Sequence, residues 1–405
     1  MKPLKNTLIS AMGSLWILMS LIATLQFSTL KRLMRVNSLF TAPRIVRNFS
    51  NMREMFFHKD LPAKSAQPMV LPQAPAPLPD AYTFLGKTQS LSDWKAERAV
   101  TAIVVLKDGK ISYEEYLHGT RAEDLRISWS MAKSLLSATF GIAVGDGLLN
   151  NLDDPVVAYV PALKGSAYDG ATVRHVLNMA SGVEFNEDYL DYHSDINRMG
   201  RVLALNGSMD DFAASLKTRA WQPGRYRRYV SIDTHVLGMV LRKITGSSVA
   251  DYMVEKLLKP MGIEADPYYL TDGQGVDFVL GGLNMRTRDY ARFGLLFANN
   301  GKVGGKQIVP ADWVALSTSD TAPEPAPVVY KYDAMLGYGF QWWLPPEPME
   351  GEFFALGIYG QYIYVNRPLG TVIALNGADL HFKDNEGRET QQNLAVLRTI
   401  ALAQA

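Results

Sequence analysis

Apolar residues form short continuous or alternating runs towards both ends of the body of the chain and recur at helical spacing between them. Thr101-Ala-Ile-Val-Val-Leu106 is a continuous run, Lys107-Asp-Gly-Lys110 holds a turn dipeptide, and Ile111-Ser-Tyr-Glu-Glu-Tyr116 alternates. This predicts a β-hairpin. Met131, Leu135, Ala138 and Ile142 follow at near-helical spacing and predict a helix that opens at Ser130 and is stopped by Gly145 and Gly147. Residues 150–300 read mainly as helices and loops. Thr172–Met179, Asp233–Ile244 with Gly246 behind it, and Ser248–Lys256 running up to Pro260 carry the helical patterns. Strand-like composition returns at Gly337–Trp343, Phe353–Leu356, Gln361–Val365 and Thr371–Asn376. Arg388–Leu402 closes the pattern as a helix, with Leu394, Leu397 and Ile400 near one face. Strands at both ends and helices between predict an α+β fold. Its antiparallel sheet brings the first hairpin to the last strands, with an inserted mainly helical subdomain.

Two stretches ahead of the body change the picture. Lys2 and Lys5 precede an uncharged, mostly apolar segment from Asn6 to Leu30. About 20 such residues span a bilayer core. The run is long for a secretory signal and no clean Ala-x-Ala follows it, so residues 1–35 read as an N-terminal membrane anchor, with a cleaved signal as the alternative. A protein anchored or exported at the periplasmic face of an inner membrane is the expectation. The basic residues Lys31, Arg32, Arg35, Arg44 and Arg47 behind the span argue for the opposite orientation, which stays open. Residues 61–79 hold six prolines. Residues 36–80 therefore read as an extended spacer, and 81–405 as the body.

Of the 405 residues, 47% are apolar and 20% charged, which suits a large globular enzyme. The net charge of +1 gives no reason to expect a nucleic-acid partner. The chain has no cysteine, which removes thiol nucleophiles and disulfides. Its six histidines are scattered without ligand spacing, so neither a metal nor a cofactor is expected.

The candidate chemistry starts at Ser128-Trp-Ser-Met-Ala-Lys-Ser134. Positions three apart on a helix lie about 5–6 Å apart at Cβ, so Lys133 can reach Ser130. Serine needs a base beside it to act as a nucleophile. Lysine can be that base if burial or a neighbouring cation removes its proton. Ser130 at a helix start also has unpaired backbone N–H groups nearby, suited to an oxyanion. About a hundred residues on, Tyr229-Val-Ser231 follows a Pro223-Gly224 turn and precedes a helix. A tyrosine near Lys133 can relay a proton; the other reading is a core tyrosine with a satisfied hydroxyl. There is no G-x-S-x-G elbow for a Ser-His-Asp triad.

These motifs resemble the serine β-lactamase and penicillin-recognising superfamily, on its class C and esterase side. Ser130-Met-Ala-Lys133 matches the first motif, and Tyr229-Val-Ser231 matches the second with serine in place of the usual asparagine. Further matching phrases are Leu152-Asp-Asp-Pro155, Val173-Arg-His-Val-Leu-Asn-Met179, Val236-Leu-Gly-Met-Val-Leu241 and Arg288-Asp-Tyr-Ala-Arg-Phe-Gly294. The resemblance covers about 90–400 and implies an α/β sandwich, the sheet flanked by helices. It also implies a serine hydrolase in which Ser130 is the nucleophile, Lys133 the base and Tyr229 the proton relay.

The third motif departs from the pattern. Lactamases and D,D-peptidases carry Lys-Thr-Gly or a close variant there, whereas this chain has Gly357-Ile358-Tyr359-Gly360-Gln361. That form resembles the 6-aminohexanoate-dimer (nylon oligomer) hydrolase branch and its carboxylesterase relatives. By that resemblance, the backbone N–H of Ile358 joins that of Ser130 as an oxyanion donor. Gly357, Tyr359, Ser231 and Tyr189 are the candidate substrate contacts, Tyr189 reaching the substrate amide. Hydrolysis of a small linear amide or ester is expected. A D-aminopeptidase or D,D-peptidase, a weak β-lactamase, and a non-catalytic binding module on the same fold are the alternatives. Arg227 and Arg228 read either as a solvated face or as a carboxylate site. Asp191, His193 and Asp195 read either as pocket or as loop polarity, and His235 as structural.

Overall fold

The computed structural model describes residues 29–327, 331–384 and 387–404. The expected N-terminal span lies outside the described residues except for its last two. No helix among the described residues is long and apolar enough to cross a membrane.

Val100–Lys107 (β1) and Lys110–Tyr116 (β2) form the predicted hairpin. Its tight turn needs left-handed backbone, and Asp108 (φ 48°) and Gly109 (φ 75°) supply it. Later strands are Gly337–Tyr338 (β3), Trp343–Leu344 (β4), Glu352–Gly357 (β5), Gln361–Asn366 (β6) and Thr371–Gly377 (β7). The sheet runs β3-β4-β5-β6-β7-β1-β2, antiparallel throughout. The first hairpin and the last strand therefore meet, with Leu106 opposite Val372 and Ala102 opposite Asn376.

Four helices organise the body: Met131–Gly145 (α1), Ser231–Thr245 (α2), Thr287–Ala298 (α3) and Arg388–Ala403 (α4). Side chains alternate across a strand, so β1 feeds two cores. Val104 and Leu106 join the core that holds Phe293 and Leu296 of α3 and most of α1. Ile103 and Val105 join the other, with Leu394, Leu397 and Ile400 of α4. A sheet covered by helices on both faces reads as a continuous apolar run, which is the pattern β1 shows. Residues 131–143 of α1 are buried all round. Gly246 ends α2 in the left-handed conformation (φ 67°).

Four features differ from the sequence reading. The Gly337–Trp343 stretch is a hairpin, because Gly339 to Trp342 turn between β3 and β4. A Cβ on Gly339 would lie 2.1 Å from the Ser317 carbonyl, so only glycine lets this turn approach. The mainly helical region also contains strands. His58–Asp60, Tyr268–Leu270, Leu283–Met285 and Arg126–Ile127 make a second antiparallel sheet, of segments too short to show alternation. The Ser248–Lys256 helix gives way to a π-helical turn at Val254–Leu258. Residues 36–80, expected to be a spacer, lie against the body. Leu39, Ile45, Phe49, Met52, Leu61 and Leu71 are buried in the core, and Ile111 N–H bonds the Pro72 carbonyl at 2.8 Å.

Packing of α3 on the sheet depends on Gly294. A Cβ there would sit 2.5 Å from Val372 Cγ1 and 2.8 Å from Ile363 Cγ2, both on stiff β-branched side chains. Gly294→Ala gains about 1 kcal/mol of helix propensity. Overpacking costs about 1–3 kcal/mol. Net destabilisation is the expected outcome, read as a lower urea midpoint.

Candidate active site

The strand Arg126–Ile127 leads directly into Ser130, and Ser128 N–H bonds the Leu283 carbonyl at 2.8 Å. Trp129 has φ 42°, a costly value for a bulky residue, and turns the chain into α1. Ser130 caps α1, its carbonyl accepting Lys133 N–H at 3.1 Å. One helical turn then places Lys133 Nζ 3.1 Å from Ser130 Oγ, and Nζ donates to the Leu280 carbonyl at 2.7 Å. Lys133 is 2% exposed. Burial pushes its pKa down to about 7, against the opposing pull of Glu187 and Asp233.

Tyr229 stands immediately before α2. Its ring stacks on Trp343 at 5.5 Å, and Lys133 Nζ lies 5.3 Å from its centroid. Its hydroxyl faces those of Ser130 and Ser231, and burial together with the charge of Glu187 raises its pKa. The three motif residues are thus brought together by the start of α1 and the start of α2.

On the opposite side, β5 and β6 turn through Ile358, Tyr359 (φ 62°) and Gly360 (φ 84°). A Cβ on Gly357 would lie 2.6 Å from the Ser128 carbonyl, so glycine lets the end of β5 come up against the Ser130 strand. Ser130, Tyr189, Tyr229, Gly357, Ile358 and Tyr359 line one cavity of about 450 Å³. Trp343, Leu356, Tyr362 and Phe382 add apolar wall. This volume holds a small linear molecule.

Tyr189 donates to Glu187 Oε2 at 3.1 Å, packs against Phe382, and has Lys383 Nζ 4.8 Å from its ring centre. Ser231 is turned towards Glu187: its backbone N–H donates to Oε1, and its hydroxyl to Oε2 at 3.2 Å. Arg227 is buried, not solvated, and donates to the Leu336 carbonyl at 2.7 Å. Asp191 and Asp195 brace their own loop by accepting the N–H groups of His193 and Asn186 at 2.8 and 2.9 Å. His235 Nε2 lies 2.7 Å from Asp210.

Two partners escaped the sequence reading. Glu187, half-buried with its pKa raised by withdrawal from water, sits at the N-terminus of α2, where the helix dipole favours a carboxylate. Asp233 accepts Tyr168 and Ser181 hydroxyls at 2.7 and 2.8 Å, and burial lifts its pKa to about 7. The available signal for Glu187 was its position two residues before Tyr189. Its partner lies 44 residues away, a pairing that only the fold creates.

The Beta-lactamase family model matches residues 93–396. The chain belongs to the Beta-lactamase family. It is a serine hydrolase, related to a 6-aminohexanoate-dimer hydrolase of Paenarthrobacter ureafaciens, with 28% identity over 77% of this chain and 79% of that protein. A solved structure named "Putative 6-aminohexanoate-dimer hydrolase from Bacillus anthracis" superposes with TM-score 0.79 at 25% identity, covering 90% of this chain and 96% of that one. A D-stereospecific amidohydrolase from Streptomyces shares the fold, with TM-score 0.56 at 18% identity over 71% of this chain and 92% of that one.

A lysine base works only when neutral, so kcat/KM is expected to rise with pH through about 7, the value to which burial lowers Lys133. Glu187 favours the charged amine. Glu187→Gln removes that pull, and the rising limb of the pH profile is expected to move to lower pH. An unmoved or raised limb in steady-state pH profiles counts against this coupling.

Proposed function

We propose that this enzyme hydrolyses linear amides or carboxylic esters through an acyl-enzyme on Ser130. The observation that carries the reading is Lys133 Nζ, enclosed and poised near neutrality, 3.1 Å from Ser130 Oγ. Ser130 Oγ attacks the carbonyl carbon and its proton passes to Lys133. The tetrahedral oxygen is received by the backbone N–H groups of Ser130 and Ile358. As the C–N or C–O bond breaks, Tyr229 gives its proton to the leaving amine or alkoxide and is reprotonated from Lys133. Water then enters by the reverse relay and releases the acid. Support for a linear substrate comes from the Gly357-Ile358-Tyr359 strand end, which has no cation for a β-lactam carboxylate, and from the name of the Paenarthrobacter relative. Tyr189, on the cavity wall and donating its own proton to Glu187, leaves its hydroxyl oxygen to accept the amide N–H.

Ser130→Ala is expected to lower kcat/KM on p-nitrophenyl esters and ω-amino-acid amides by about 10⁴-fold or more. Retained turnover would sink the proposal. Loss of one hydrogen bond is worth about tenfold. Tyr189→Phe should therefore lower amide turnover by about that factor and ester turnover less. Equal losses on both substrates would remove Tyr189 from amide recognition.

A further inference from the structure

The two backbones that aim the oxyanion donors are both left-handed at a bulky aromatic residue. Trp129 (φ 42°) immediately precedes Ser130, and Tyr359 (φ 62°) immediately follows Ile358. Such backbones persist only where the surroundings hold them. Trp129 Nε1 is buried with no hydrogen-bond partner among the described residues, so ring packing must hold this side chain.

Phe382 packs on Tyr359 at 4.5 Å, and the Trp129 and Tyr359 rings meet each other at 6.1 Å; the other ring contacts come from the N-terminal segment. Phe40 stacks on Tyr359 at 4.9 Å and 19° and lies 5.9 Å from Trp129. Phe49 meets Trp129 and Tyr359 edge-on, each at 5.5 Å. The same segment also grips the strand that leads to Ser130. Ile127 N–H bonds the Phe49 carbonyl at 3.0 Å. The buried Arg126 guanidinium donates to the Val46 carbonyl and to Ser50 Oγ, each at 2.7 Å.

We propose that Phe40 and Phe49 are positioning residues for the oxyanion site, clamping the rings of Trp129 and Tyr359 so that the Ser130 and Ile358 N–H groups converge. This rests on the acyl-transfer reading above. Phe49 also belongs to the core, whereas Phe40 is 42% exposed, so removing its ring leaves the fold in place.

The test compares wild type, Phe40→Ala, Phe40→Leu and Phe40→Tyr in the full chain. A misplacement of about 1 Å can lower a rate about 100-fold. Phe40→Ala and Phe40→Leu are expected to lose about 10- to 100-fold in kcat with KM nearly unchanged. Their affinity for an arylboronic acid, which forms a tetrahedral adduct on serine, should fall in parallel. Phe40→Tyr should restore both, while the thermal midpoint is the same in all four. Unchanged kcat and boronate affinity in Phe40→Ala overturn the proposal. So does a loss that tracks the thermal midpoint and is not restored by tyrosine. A fluorophosphonate probe on wild type separates the two levels. Labelling of Ser130 with an unaffected Phe40→Ala refutes the clamp alone, whereas no labelling refutes the acyl-transfer reading and the clamp with it.

Discussion

The enclosure of one amine governs this structure. Lys133 ends inside the protein, with a backbone carbonyl and a serine hydroxyl as its hydrogen-bonding partners. An ammonium withdrawn from water is expensive, and a single carbonyl does not compensate it. The fold accommodates the amine by letting its proton become weakly held. That requires α1 to be covered on all sides, by the sheet, by α2, by the Ala311–Ser317 helix and by the 249–258 segment. The three-layer architecture is what supplies this cover.

Around the amine, the charges of Glu187 and Asp233 limit how far its basicity falls. Glu187 is held at the first turn of α2, and Asp233 lies within that turn. Tyr229 stands two residues ahead of that turn. The charges around the amine and the position of Tyr229 are therefore both tied to the start of α2, and packing of α2 on α1 fixes both at once. Sites built on rigid elements in this way keep their geometry better than sites borne on loops.

Where one short segment carried both the chemistry and the local structure, the sequence was readable. Ser130 and Lys133 lie one helical turn apart, so their meeting follows from helix geometry alone. The hairpin of β1 and β2 and its pairing with β7 followed from apolar runs and an Asp108-Gly109 turn. Tyr229 was recognisable by motif, though its approach to Ser130 is a tertiary contact. Glu187 was hidden because Ser231 is remote in the chain. The short strands at Tyr268–Leu270 and Leu283–Met285 were hidden because two or three residues show no period. The proline-rich stretch misled for a different reason. Proline sets an extended backbone, which says nothing about whether that backbone lies free or along a surface.

The pairing of β1 with β7 has a consequence for how the molecule is made. Ala102 and Asn376 sit side by side in the sheet, so this edge of β1 stays unsatisfied until the distant β7 has been synthesised. The intervening helices can form meanwhile, because their contacts are more local. The central sheet closes last, over the longest loop in the body. Without that closure α1 lacks its cover on the sheet side, and the Lys133 amine is not withdrawn from water. The lowered pKa of this lysine is thus a property of the completed sheet, not of the helix that carries it.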